Sequence, residues 1–71
     1  MSFRRIEYFL SVAKHLNFTK AARECYVAQA AISQQIKQFE EELGFKLFNR
    51  GGASVSLTPA GEYFAKQCQA V

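Results

Sequence analysis

Residues 28–44, AQAAISQQIKQFEEELG, constrain the fold of this chain more than any other stretch. Ile32, Ile36, Phe39 and Leu43 recur at i, i+4, i+7 and i+11, one stripe on a 3.6-residue period. That spacing predicts an amphipathic helix with the stripe turned inward. The opposite face carries Gln29, Ala30, Ser33, Gln34 and Lys37. A helix that only had to stay dissolved would usually show Glu and Lys there. Short, amide-bearing side chains with little bulk suit a helix that lies in a groove and hydrogen-bonds to edges. Gly44 ends the segment, because glycine takes the left-handed C′ conformation without steric cost.

Two helices are expected ahead of it. Over residues 3–15, Ile6, Phe9, Leu10 and Ala13 form the buried stripe of a surface helix, with Ser2 as N-cap. Arg4 and Arg5 fall in its first turn, where the helix dipole disfavours cations; they either dock an anion or are plain solvated side chains. A shorter helix over 19–26 follows, with Asn17 or Thr19 as N-cap and Phe18, Ala22 and Cys25 facing its neighbours. Tyr26 and Val27 leave only a tight turn before the central helix, so the two must cross steeply, as in a helix-turn-helix.

After Gly44 the periodicity changes. Residues 45–50 and 53–57 are short runs flanking Gly51-Gly52, and Val55 and Leu57 alternate with serines, a hairpin pattern. Thr58-Pro59 restarts a helix as N-cap and N1. Ala60, Phe64, Cys68 and Val71 make its apolar stripe, and the chain stops while that pattern is still running. The expectation is a natural protein longer than this, or an excised domain. The order helix, helix, helix, hairpin, helix is mainly α, a winged helix-turn-helix with a two-stranded wing and a C-terminal linker helix.

Composition narrows the chemistry. The 71 residues make one small domain, and 49% apolar residues with 7 Phe are enough for a core. A net charge of +3 suits an anionic partner, and equally an ordinary basic domain. An enzyme fails on inventory: one histidine, no aspartate, no acid and base in reach of each other, no glycine-rich phosphate loop. His15 has no second ligand at metal spacing, so neither metal nor cofactor is expected. Cys25 and Cys68 form no CxxC and read as free thiols in a reducing cytoplasm. No stretch is long and apolar enough to span a membrane, and no signal peptide is legible.

Several segments then combine. They are Tyr8-Phe9 with Val12-Ala13, Phe18-Thr19 with Ala21-Ala22, and Val27 with Gln29. Next come Ala31-Ile32-Ser33 with Gln35-Ile36, and Glu40-Glu41-Glu42-Leu43-Gly44. Leu47-Phe48 with Arg50 and Leu57-Thr58 with Ala60-Gly61 complete the series. In order and spacing they resemble the N-terminal DNA-binding domain of LysR-type transcriptional regulators. The resemblance implies a DNA-binding domain over 1–58, with the helix-turn-helix at 18–37 and the wing at 45–57. Residues 59–71 would begin the linker helix that pairs two subunits of a homodimer, through Ala60, Phe64, Cys68 and Val71. An effector-binding domain normally follows and is absent here, so any small-molecule effector would act only through that part.

With this resemblance, each outward residue acquires a role. Gln29, Ser33 and Gln34 are candidates for hydrogen bonds to base edges in the major groove, and Ala30 for a thymine methyl. Lys37 would meet a phosphate, as would Thr19 and Lys20 at the start of the second helix. Arg50 either contacts phosphate or holds the hairpin against the body. Paired recognition helices would read an interrupted inverted repeat of double-stranded DNA about one helical turn apart. The bland alternatives are that Ser33 bonds its own i−4 carbonyl, and that Gln34, Lys37 and Glu40 to Glu42 are solvated surface, with Glu42 pairing Lys46. The alternative is that Phe64 and Cys68, with Tyr63, cover the first helix of their own chain, and the unfinished helix favours the dimer. A winged helix used for protein–protein contact is the competing function, and the polar outer face of the third helix argues against it.

Three positions depart from the family pattern. Ala28 stands where Ser usually caps the recognition helix. Gln34 replaces a frequent Arg, which shifts the expected base from guanine toward adenine. The wing tip, residues 51–54, lacks a basic residue, so minor-groove anchoring is expected to be weaker.

Overall fold

The computed structural model describes residues 3–52 and 54–69. Four helices and one hairpin follow in the expected order: α1 Phe3–His15, α2 Phe18–Cys25, α3 Gln29–Leu43, β1 Phe48–Asn49, β2 Ser56–Leu57 and α4 Pro59–Gln69. The expectations for Ser2, Ala53 and Val71 lie outside the described residues.

Each boundary has a local cause. Leu16, at φ 50°, ends α1. The Asn17 side chain accepts a hydrogen bond from the Lys20 amide at 2.9 Å, so α2 starts one residue earlier than the sequence suggested and Thr19 is not its cap. At the other end Tyr26 is left-handed, its amide donating to the Arg23 carbonyl and that of Val27 to the Ala22 carbonyl. This is the Schellman closure, in which a non-glycine C′ residue bears the steric cost of positive φ. α3 begins at Ala28 with no side-chain cap and ends at Gly44, φ 85°. Thr58 Oγ1 accepts from the Gly61 amide at 2.9 Å and donates to the Lys46 carbonyl at 2.7 Å. It caps α4 and ties that helix to the chain entering the wing.

Aromatic rings bind all four helices and the hairpin. Phe9 of α1 meets Phe48 of β1 at 5.5 Å between centroids and Phe64 of α4 at 5.3 Å. Phe48 meets Phe18 of α2, and Phe64 meets Phe39 of α3. Ile32, Ile36 and Phe39 are buried as the α3 stripe requires, with Leu43 partly buried. On α1 the buried centre is rotated from the expected stripe. Tyr8, Phe9, Ser11 and Val12 are buried, while Leu10 and Ala13 only pack against the edge of the core.

Two further expectations fail. The hairpin is not a tight Gly-Gly turn, since β1 and β2 pair antiparallel through Phe48–Leu57 and Asn49–Ser56, and the pairing stops short of Gly51-Gly52. Glu40 is not solvated: it is 4% exposed. A carboxylate is buried there because three hydrogen-bond donors converge on it, as described below. Phe64 packs on Phe9 and Phe39 of its own chain while staying half-buried, the own-chain cover that the sequence left open beside dimerisation.

α2 is locked to α1 by Glu24. Ser11 Oγ donates to Glu24 Oε1 at 2.7 Å, and Lys14 Nζ to Oε2 at 3.1 Å. His15 Nε2 lies 3.3 Å from the same oxygen without hydrogen-bond alignment. The Ser11 bond first, then Lys14 and His15, pull the Glu24 carboxyl down to about 2. A depressed folded-state value stabilises the fold above the ordinary carboxylate range of about 4.3 and loses that contribution as pH falls toward 2. Thermal melts should therefore show Glu24→Gln below the wild type at pH 6 and level with it near pH 2. A gap that does not close in acid would rule out this role for Glu24.

Candidate nucleic-acid interface

α3 is fixed to the body on one side and bare on the other. Gln29, Ala30, Gln34 and Lys37 are exposed and Ser33 is half-buried. Among the described residues, the side chains of Gln29, Ser33, Gln34 and Lys37 make no hydrogen bond or ion pair; Ser33 does not bond the carbonyl one turn back. The first four of the five span two turns at the N-terminal end of α3. The absent cap at Ala28 adds unpaired backbone donors at that end, where the helix dipole is positive. This face thus offers amides, a hydroxyl and backbone N–H groups, with one cation at its far edge.

Beside it, Lys37 shares a surface trough with Lys46, Phe48, Asn49, Arg50 and Gly51. The trough runs between α3 and the hairpin, and three of its six residues are cationic. The sequence pointed to Lys37 and Arg50 but missed Lys46 and Asn49. Lys46 was read as a partner for Glu42, yet Glu42 pairs with Arg5 at 2.6 Å. Asn49 Nδ2 donates to Ser56 Oγ at 3.2 Å, linking the two strands. No periodic signal marks either residue, because both positions depend on how the hairpin folds back.

Glu40 holds that hairpin. Its Oε2 accepts from the amides of Leu47 at 2.7 Å and Phe48 at 3.2 Å. Its Oε1 pairs with Arg50 at 3.0 Å. The Arg50 guanidinium also lies 4.9 Å from the centroid of the Phe18 ring. One buried carboxylate on α3 therefore positions the start of the wing, and Arg50 extends the link to α2. Thr19 and Lys20 stand exposed on the first turn of α2, next to Phe18.

The chain matches the model of the bacterial regulatory helix-turn-helix protein, lysR family, over residues 3–62. This chain belongs to the LysR family. It is 48% identical over 69 residues to the HTH-type transcriptional regulator AlsR of Bacillus subtilis, a stretch that is 97% of this chain and 23% of the relative. It thus spans about a quarter of the length of that curated relative. Its fold is similar to the crystal structure of a BenM_DBD/catB site 1 DNA complex, with TM-score 0.92 and 41% identity, covering 96% of this chain and 76% of that one. The CbnR_DBD–DNA complex gives TM-score 0.91 and 34% identity, covering 99% and 80%. These likenesses bear out the LysR-type winged helix-turn-helix read from the sequence.

Within this LysR-family domain, α4 presents Glu62, Tyr63, Lys66 and Gln67 to solvent, with Tyr63 66% exposed. Ala60 and Cys68 are half-buried beside them. Among the described residues, no helix is long and apolar enough to cross a membrane.

Proposed function

We propose that this chain is the DNA-reading part of a homodimeric LysR-type transcription regulator of the cytoplasm. α3 lies in the major groove of double-stranded DNA and the hairpin wing lies beside the minor groove. The observation that carries this is the outer face of α3: exposed, uncharged but for Lys37, and with every polar side chain unpaired. A solvated helix has no use for such a face, whereas base edges supply the missing donors and acceptors.

In this reading Gln29, Ser33 and Gln34 bond base edges and Ala30 meets a thymine methyl. Lys37, Lys46, Thr19 and Lys20 neutralise backbone phosphates. Arg50 serves chiefly to hold the wing, since Glu40 and the Phe18 ring already engage its guanidinium. Dimerisation runs through α4 by Ala60 and Cys68, joined by exposed Tyr63, while Phe64 stays with its own core. The two recognition helices then address an interrupted inverted repeat. An effector would act through a further domain of the kind the longer relatives have room for.

The division between base-reading and phosphate-binding residues is testable by mutation. Gln34→Ala should cost about 1–3 kcal/mol on a preferred duplex, relax base choice at one position, and leave random duplex almost unaffected. Lys37→Ala should weaken both duplexes alike and lower the salt slope by about 0.9. Equal losses on preferred and random DNA for both variants would refute the assignment.

A further inference from the structure

Arg5 is one of the cations with no part in the proposed DNA contacts, and it sits where the α1 dipole opposes it. Its guanidinium is turned onto α3. Nε donates to Gln35 Oε1 at 3.2 Å, one terminal nitrogen to Gln38 Oε1 at 3.3 Å, and the other pairs with Glu42 Oε1 at 2.6 Å. The Arg5 side chain is 17% exposed. Glu42 is held below the usual carboxylate range chiefly by this contact. Gln35, Gln38 and Glu42 fall at i, i+3 and i+7, one stripe along the flank of α3.

We propose that Arg5 is a positioning residue for base reading, fixing the rotation of α3 about its own axis. The inference rests on the DNA-reading function proposed above. Three rigidly spaced donors on one planar group are matched to three acceptors along one line of the helix, which a lysine's point charge cannot do. Gln34 stands roughly 100° around the axis from Gln35. A helix rotation of about 20° carries a side-chain head about 5 Å off the axis through roughly 2 Å. Hydrogen bonds to base edges tolerate only a few tenths of an ångström. The apolar stripe of Ile32, Ile36 and Phe39 sets which face is buried. Its packing is non-directional, so the clamp supplies the finer angular constraint.

The test uses the 71-residue chain with two probes: a duplex it selects from a random-sequence pool, and a shuffled duplex of the same composition. Variants are Arg5→Met, Arg5→Lys and Gln38→Leu, each checked for folding by far-ultraviolet circular dichroism. Preference for the selected over the shuffled duplex should fall about tenfold in Arg5→Met, the discrimination of one base contact. Affinity for shuffled duplex and the salt slope should stay as in wild type. Arg5→Lys should restore little of the preference. Gln38→Leu, which keeps the arginine, should lose preference in the same direction, and carries the test if Arg5→Met does not fold.

If Arg5→Met instead weakens both duplexes equally and lowers the salt slope by about 0.9, with Arg5→Lys restoring both, Arg5 is a phosphate contact and the proposal fails. Unchanged preference in folded Arg5→Met and Gln38→Leu overturns it as well. A wild-type chain that enriches no sequence overturns the DNA-reading function, and this proposal with it; the wild-type result alone separates that failure from the others.

Discussion

Glu40→Ala should come close to unfolding the domain at 25 °C. The carboxylate is almost wholly buried, and its removal strands the amides of Leu47 and Phe48 together with the Arg50 guanidinium. Each buried amide left without an acceptor costs about 1–3 kcal/mol, and with the lost ion pair to the partly exposed Arg50 the total comes to about 3–5 kcal/mol. A chain of this length has a total stability of about 4–10 kcal/mol. The melting temperature should drop by at least about 12 °C. Glu41→Ala, one position along on the exposed side, is the control and should shift stability by about 0.5 kcal/mol or less. Circular dichroism melts of the two variants decide the matter. Equal small shifts would mean that the wing is not held by this carboxylate.

Gly61→Ala is the second large effect, and it runs against helix propensity. At an ordinary helical glycine, alanine stabilises by about 1 kcal/mol. Here a Cβ would stand 2.1 Å from the Leu47 carbonyl oxygen and 3.1 Å from Leu57 Cδ2. The first contact is with backbone, which cannot swing aside. α4 would have to lift off the hairpin, straining the Thr58 bonds to Lys46 and Gly61 and drawing Phe64 from Phe9 and Phe39. Overpacking of this kind costs about 2–3 kcal/mol, enough to lower the melting temperature by roughly 10–20 °C. A variant that melts at or above the wild type would show that α4 does not sit against the wing this closely.

Much of this architecture was legible in the sequence, and the residues explain why. α3 was readable because Ile32, Ile36 and Phe39 keep a strict period and Gly44 marks its stop. Thr58-Pro59 announced α4 because a cap and an N1 proline act locally. α1 was placed correctly, but its buried centre was not, because Tyr8, Ser11 and Val12 lie off the Ile6, Phe9, Leu10 and Ala13 stripe and are buried by partners on other elements. The hairpin was foreseen, but not its length: two strands of two residues each leave little periodicity to read.

The interface divides along the same line. The outer face of α3 follows from helical geometry alone, so Gln29, Ala30, Ser33, Gln34 and Lys37 fall on one side as spacing requires. Glu40 was misread as one of three equivalent glutamates. Its neighbours Glu41 and Glu42 are exposed, and only the return of the chain at Leu47 and Phe48 sets Glu40 apart. Arg5 stood out as a cation in the first turn of α1, but its partners did not, since they lie some thirty residues away on α3. Phe64 shared an apolar stripe with Ala60 and Cys68, and a stripe does not say whether it is covered by its own chain or another.

The most direct measurement is fluorescence anisotropy of labelled duplexes titrated with the chain at several salt concentrations. One duplex is selected from a random pool and one is shuffled. A reader of base edges carried on cationic flanks should bind the selected duplex more tightly at every salt concentration. For both duplexes log K should fall against log salt by about 0.9 per phosphate neutralised. Gln34→Ala should narrow the gap without changing the slope. Identical curves for the two duplexes, or no binding even at low salt, would contradict the assignment of α3 as a DNA-reading helix.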